Sequence, residues 1–226
     1  MRPVTSPLLR RAARVRHGFF TRGTAPLDLD RVAAELGVGS PALAMVRQVH
    51  AAQVFEVTRS TLAACDDREA DALWTEEPEL AVVVRTADCV PMLATTADGA
   101  LAAAVHGGWR GLAAGVIEAT ASALQARGHQ ARRLWVAIGP HIGPCCYRVG
   151  PEVLAALGPH SRVERGGQLY ADLGAVARER WLGCGVPREQ IDLVNPCTAC
   201  DARRFFSYRR DHGGSGRQLS AIMRTP

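Results

Sequence analysis

Between residues 80 and 106 the chain reads LAVVVRTADCVPMLATTADGALAAAVH. Two strand-length runs, 80–85 before Asp88-Cys89 and 101–106 ending at His106, are apolar at nearly every position rather than at alternate ones, and 90–95 between them is also strand-like. Strands of that kind are covered on both faces and therefore lie centrally in a layered fold. Further strand-like runs fall at 15–21, 43–50, 53–58 and 134–138. Helix-like runs interleave with them and dominate later. Asp30 is placed to cap a helix that ends at Leu36 before Gly37. Residues 112–127 put Leu112, Val116, Ile117 and Leu124 on one stripe before Gly128. Pro151 opens another helix, and Asp172 caps a fourth that carries Leu173, Val176, Ala177 and Trp181. Early strands in hairpin-like pairs followed by helices favour an α+β layered sandwich over a doubly wound sheet. With 226 residues and no repeat or linker, one domain spanning 1–226 is expected.

Several function classes drop out. All 27 basic residues are arginine, so a Schiff-base lysine, a lysine nucleophile and a P-loop lysine are excluded together. No apolar run approaches the ~20 residues of a membrane span. The arginines are scattered and aromatics are 5% of the chain, which does not resemble a base-stacking, nucleic-acid-binding surface. The net charge of +5 suits an anionic small molecule. The Arg-rich N-terminus lacks a long apolar stretch and reads as retained structure, with a cytoplasmic location expected. Seven cysteines, an odd number at irregular spacing, point to a reducing compartment and to thiols used as ligands or nucleophiles.

Pro196-Cys197-Thr198-Ala199-Cys200 looks like half of a zinc-deaminase signature, which also requires an upstream His-x-Glu. The residues two places after the seven histidines are Phe19, Ala52, Gly108, Ala131, Gly143, Arg162 and Gly214. None is Glu, so that signature is absent. Cys197 and Cys200 are left as a redox pair, as half of a structural zinc site with Cys145 and Cys146, or as small buried residues.

A stronger constellation sits at strand ends. Cys89 follows Asp88 at the end of one apolar run, His106 ends another, and His50 ends the run 43–50. Two imidazoles and a thiolate suit Zn²⁺ and leave a fourth position open, as catalytic zinc sites do. A metal-free reading, in which His106 activates Cys89 as a nucleophile, stands beside it. Gly107-Gly108-Trp109-Arg110-Gly111 then forms a glycine-rich strand-to-helix turn. There the backbone can approach an anion, and Arg110 offers a planar fork to phosphate or carboxylate.

At these residues the chain resembles the laccase-domain family, also called polyphenol oxidase, peptidoglycan editing factor or purine nucleoside phosphorylase. The matching pieces are Gly18-Phe19-Phe20-Thr21-Arg22, Gln48-Val49-His50, Asp71-Ala72-Leu73, Thr86-Ala87-Asp88-Cys89-Val90-Pro91, the His106–Gly111 turn, Ile138-Gly139-Pro140 and CTACDARRFFSYRRD from Cys197. The resemblance implies a four-layer α/β/β/α sandwich with metal ligands His50, Cys89 and His106. It implies zinc-dependent phosphorolysis of purine nucleosides (adenosine, inosine, guanosine or methylthioadenosine) and deamination of adenosine, by a monomer or homodimer. Phosphorolysis needs an anion cradle, for which Arg47, Arg110 and Arg209 are candidates, and Asp88 is a candidate proton carrier. Copper-dependent phenol oxidation fits less well, because the chain has seven histidines and no His-x-His pair; Cu²⁺ could still occupy the three-ligand site. Hydrolysis of a peptidoglycan precursor by Cys89 and His106 is a further alternative. A non-enzymatic zinc module is disfavoured by the open ligand position. One departure is the short GTAPLDLD loop after Arg22, with Asp28 where the family carries Asn.

Overall fold

The computed structural model describes residues 2–24, 28–39, 42–194, 196–214 and 216–226. Residues 25–27 of the shortened GTAPLDLD loop lie outside the described residues. The strands are β1 (Val15–Phe19), β2 (Leu43–Ala44), β3 (Val54–Glu56), β4 (Ala72–Thr75), β5 (Ala81–Thr86), β6 (Val90–Thr96), β7 (Ala102–Gly107), β8 (Leu134–Ile138), β9 (Arg162–Arg165), β10 (Gln168–Ala171), β11 (Ile191–Leu193) and β12 (Gln218–Arg224). The helices are α1 (Leu29–Leu36), α2 (Trp109–Ala114), α3 (Val116–Ala126), α4 (Pro151–Leu157) and α5 (Leu173–Gly183). One sheet has the order β1-β12-β5-β2, a second the order β11-β8-β6-β7-β4-β3, and β9 pairs with β10 as a separate hairpin.

Side-chain alternation turns these two sheets into four layers. In β5, Val82 and Val84 face the second sheet, where they meet Leu73, Leu93, Ala104 and Ala137. Ala81 and Val83 face the other way and pack with Val32 and Leu36 of α1. In the second sheet Met92, Ala94, Ala103 and Val105 point outward against Leu112, Ile117, Val176 and Trp181 of the remaining helices. Both faces of each sheet are therefore apolar, and the order is α1, first sheet, second sheet, then α2 to α5. β6 and β7 occupy the middle of the larger sheet, as their unbroken apolar character requires.

Local details differ from the sequence reading in three places. The cap of α1 is Asp28, which accepts from the Arg31 N–H at 2.9 Å, rather than Asp30. The helix expected over 112–127 is two helices, broken at Gly115 with φ +89°. The run 43–50 pairs as a strand only over Leu43–Ala44. Beyond it, Gln48 replaces backbone pairing: its amide donates to the Arg85 carbonyl and accepts from the Arg85 N–H, each at 2.8 Å. The segment ends at His50, a non-glycine residue in the left-handed region at φ +58°.

Candidate active site

The site lies where the two sheets meet. Between β5 and β6 the chain leaves one sheet and enters the other within Ala87, Asp88 and Cys89. Asp88 makes this tight crossing at φ +85°, a conformation that costs energy for a residue with a side chain. His106 stands opposite Pro91 near the end of β7, two residues along from Cys89 and on the same face. His50 approaches from the loop before β3. The ligand-type atoms of His50, Cys89 and His106 all lie within 4.8 Å of one another. The two imidazole centroids are 4.8 Å apart.

Asp71, just before β4, organises this set. Its side chain is fully buried. One carboxylate oxygen bonds the His106 Nδ1 at 2.7 Å and the His50 N–H at 3.0 Å. The other accepts from the Ala51 N–H at 2.7 Å and the Val49 N–H at 3.3 Å. Burial pushes this carboxyl up, but the bonds from His106, Ala51 and His50 outweigh it and hold Asp71 below its ordinary value. With Nδ1 engaged, His106 presents Nε2 toward Cys89 and His50. Carboxylates of this kind orient metal-bound histidines. The sequence reading quoted Asp71 but gave it no role; the signal was a single acid directly before an apolar strand.

Two observations fit a metal here. The donor set is the mixed nitrogen and sulfur set that zinc accepts. Gly108 leaves the room: a Cβ at that position would stand 2.5 Å from His50 Nδ1 and 3.3 Å from Cys89 Sγ. Without metal, Cys89 and His106 still form a charged pair. Burial raises the Cys89 thiol, but the charge of His106 and hydrogen bonds from His106 and His50 bring it down to about 6. Burial lowers His106, while the Cys89 thiolate and the Asp71 carboxylate together raise it to about 9. The thiolate's contribution to stability is lost as pH falls through about 6, and the imidazolium's as pH rises through about 9. The pair is therefore charged between those limits. In chelator-stripped protein, alkylation of Cys89 is expected to rise with a midpoint near 6; a midpoint at the ordinary 9.0 would show that no such pair forms.

A pocket of about 810 Å³ opens over this cluster. Arg85, Arg110, Arg209 and Arg217 line it, with Trp109, Tyr147 and Tyr208. Arg110 stacks on Trp109 at 4.5 Å, and Arg209 on Tyr147 at 4.9 Å. Arg47 is not brought to the pocket. It pairs with Glu69 at 2.8 Å on the surface, because in an extended segment its neighbours Gln48 and His50 alternate inward on either side of Val49. Arg85 and Arg217 were missed, since nothing local marks an arginine at the end of an apolar strand as pocket-facing. The helix after the glycine-rich turn has only six residues, so the anion-binding capacity rests on guanidinium groups rather than on a helix end.

Asp88 lines the pocket, but its carboxylate is engaged elsewhere. It accepts from Thr198 Oγ1 at 2.6 Å, Ser207 Oγ at 3.0 Å and the Arg209 N–H at 2.7 Å. These bonds dock the segment after β11 and carry Tyr208 and Arg209 to the rim. Cys197 and Cys200 are not a buried apolar pair. Cys200 is exposed and, with Cys197, gathers beside Cys145 and Cys146 in a second cluster.

Fold and site together define a class: four-layer α/β/β/α proteins with an open His–Cys–His site of metal-binding type. The chain belongs to the family described as multi-copper polyphenol oxidoreductase laccase, whose model matches residues 27–225. It is 38% identical over 192 residues to purine nucleoside phosphorylase YlmD of Geobacillus stearothermophilus, covering 78% of this chain and 70% of that protein. It is 32% identical over 207 residues to adenosine deaminase RL5 of an unknown prokaryotic organism, covering 85% and 79%. The crystal structure of YlmD superposes with a TM-score of 0.87 at 30% identity, covering 96% of this chain and 94% of that one.

Proposed function

We propose that this chain is a zinc-dependent purine nucleoside enzyme that cleaves nucleosides with phosphate and deaminates adenosine. The observation that carries the reading is a three-ligand site at the edge of a pocket whose rim holds four arginines. Phosphorolysis joins phosphate to the ribose carbon as the bond to the base breaks, giving free base and ribose 1-phosphate. It calls for a dianion to be held beside a neutral nucleoside. Arg110 and Arg209, and with them Arg85 and Arg217, are suited to hold phosphate through paired N–H donors. Trp109, Tyr147 and Tyr208 offer ring faces to a purine. His50, Cys89 and His106 would hold the zinc ion, and Asp71 would fix the tautomer of His106. When bound, zinc supplies Lewis-acid polarisation and acidifies a water, the chemistry that deamination needs. The three donors on Asp88 favour an anchoring role for it over proton transfer. The names of the YlmD and RL5 relatives support the same reading.

Among the described residues, the other metal-type group contains no histidine, so the donors of a multicopper cluster are not in evidence. The deciding experiment incubates the pure protein with adenosine plus phosphate, with a phenol, and with a muramyl-peptide precursor. Hypoxanthine, adenine or inosine is the expected product; consumption of the phenol or the precursor alone would replace the proposal with copper oxidase or editing chemistry. Arg110→Lys keeps the charge but loses the fork. It is expected to raise the KM for phosphate about tenfold, one lost charge-assisted hydrogen bond of about 1.5 kcal/mol, while metal content stays unchanged. An unaltered phosphate KM would remove Arg110 from the cradle.

A further inference from the structure

The four thiols of Cys145, Cys146, Cys197 and Cys200 lie within 4.8 Å of one another, outside the pocket lining. Cys200 Sγ is 3.6 Å from Cys145 Sγ and 3.4 Å from Cys146 Sγ. A tetrahedral zinc ion with Zn–S bonds of ~2.3 Å spaces its sulfurs about 3.8 Å apart. A disulfide would need ~2.05 Å. All four cysteines are free.

The backbone around the cluster is built before any ion arrives. Cys197 and Cys200 have the two-residue spacing of a zinc knuckle, and the turn between them closes with the Asp201 N–H on the Cys197 carbonyl at 3.0 Å. The Gly143 N–H donates to Cys197 Sγ at 3.2 Å, as amides do toward ligand thiolates. Cys145 and Cys146 sit in a turn held by the Cys146 and Tyr147 N–H groups on the Gly143 carbonyl, each at 3.0 Å. The Thr198 N–H reaches the His141 carbonyl at 3.0 Å and locks the two loops side by side.

We propose that Cys145, Cys146, Cys197 and Cys200 form a second, closed zinc site that staples the loop after β8 to the loop after β11. Its four sulfur ligands leave no open position, so its role is structural. The position gives it a purpose. The first loop carries Ile142 and Tyr147 to the pocket, and the second carries Tyr208 and Arg209. The ion would hold together one wall of the pocket without touching substrate.

The inference does not depend on the nucleoside chemistry and is tested by metal and thiol counting. The protein purified under reducing conditions is expected to hold two zinc ions per chain. The double variant Cys145→Ser with Cys200→Ser is expected to hold one, kept by His50, Cys89 and His106. Because the two substitutions also disturb the packing of both loops, the unaltered protein supplies a second readout. Cys145 and Cys200 are exposed, yet in the zinc-loaded protein they are expected to resist iodoacetamide until a chelator is added. Cobalt exchanged into the protein should give the intense thiolate-to-metal absorption of a four-sulfur site, retained in Cys89→Ala. Rapid alkylation of both residues in the zinc-loaded protein, a disulfide among the four, or iron in place of zinc would each overturn the assignment.

Discussion

Cys89→Ala is expected to abolish metal binding between His50 and His106 and to reduce nucleoside turnover by a factor on the order of 10³, the scale of losing a main electrostatic stabiliser. The thiolate is the only anionic donor of the three, and two imidazoles alone are an incomplete ligand set for zinc. The fold should survive. The residue sits at the seam between sheets, but its packing is against the pocket rather than within the core, and a Cys→Ala change costs about 1 kcal/mol. Metal content and turnover, measured on the same preparation, separate the alternatives. If turnover falls while zinc at this site stays, the thiol works as a nucleophile rather than a ligand. If neither changes, the reaction belongs elsewhere in the molecule.

Asp71→Asn should be almost as damaging although Asp71 touches no substrate. The carboxylate has four donors, three backbone N–H groups and the His106 ring. An amide can accept at one end only, so its NH₂ group must face donors at the other. A buried donor left without a partner costs about 1–3 kcal/mol. Loss of the carboxylate in a carboxylate–histidine–metal chain typically weakens metal affinity 10–100-fold. In metal-free protein the same change removes one of the charges that raise His106, so the alkylation midpoint of Cys89 should move upward from about 6. A purely structural effect would lower stability and leave that midpoint in place. An unmoved midpoint together with unchanged zinc affinity would make Asp71 an ordinary buried acid.

The parts legible in the sequence were those carried by local pattern. Unbroken apolar runs identified β5 and β7 as central, and side-chain alternation between two interiors is what makes a four-layer sandwich out of two sheets. The grouping of His50, Cys89 and His106 was legible because metal-type residues beside apolar runs are conspicuous, although His50 ends a loop rather than the strand expected there. What was hidden depends on non-local pairing. Gln48 serves Arg85 thirty-seven residues away, and no periodicity announces a side chain that stands in for a strand. Arg47 points outward because of its parity in an extended segment whose register is set by distant partners, among them Asp71 on the His50 N–H. The break at Gly115 was visible as a residue but not as a break, since glycine inside an apolar helical stripe is commonly tolerated. Asp88 advertised itself as an acid beside a reactive thiol. Its partners Thr198 and Ser207 lie 110 and 119 residues away, and they give it a different task.

The rim of the pocket is furnished with guanidinium alone, because the chain has no lysine. Guanidinium does not release its proton in any condition a folded protein tolerates. The attraction this rim exerts on an anion is therefore a constant of the molecule, indifferent to acidity. Any bell or slope in a rate-versus-pH curve then has to originate in the substrate's own phosphate, in a metal-bound water, or in the imidazole and thiol groups beneath the rim. Such a curve, recorded on this chain, reads out the chemistry of the site against a fixed electrical background.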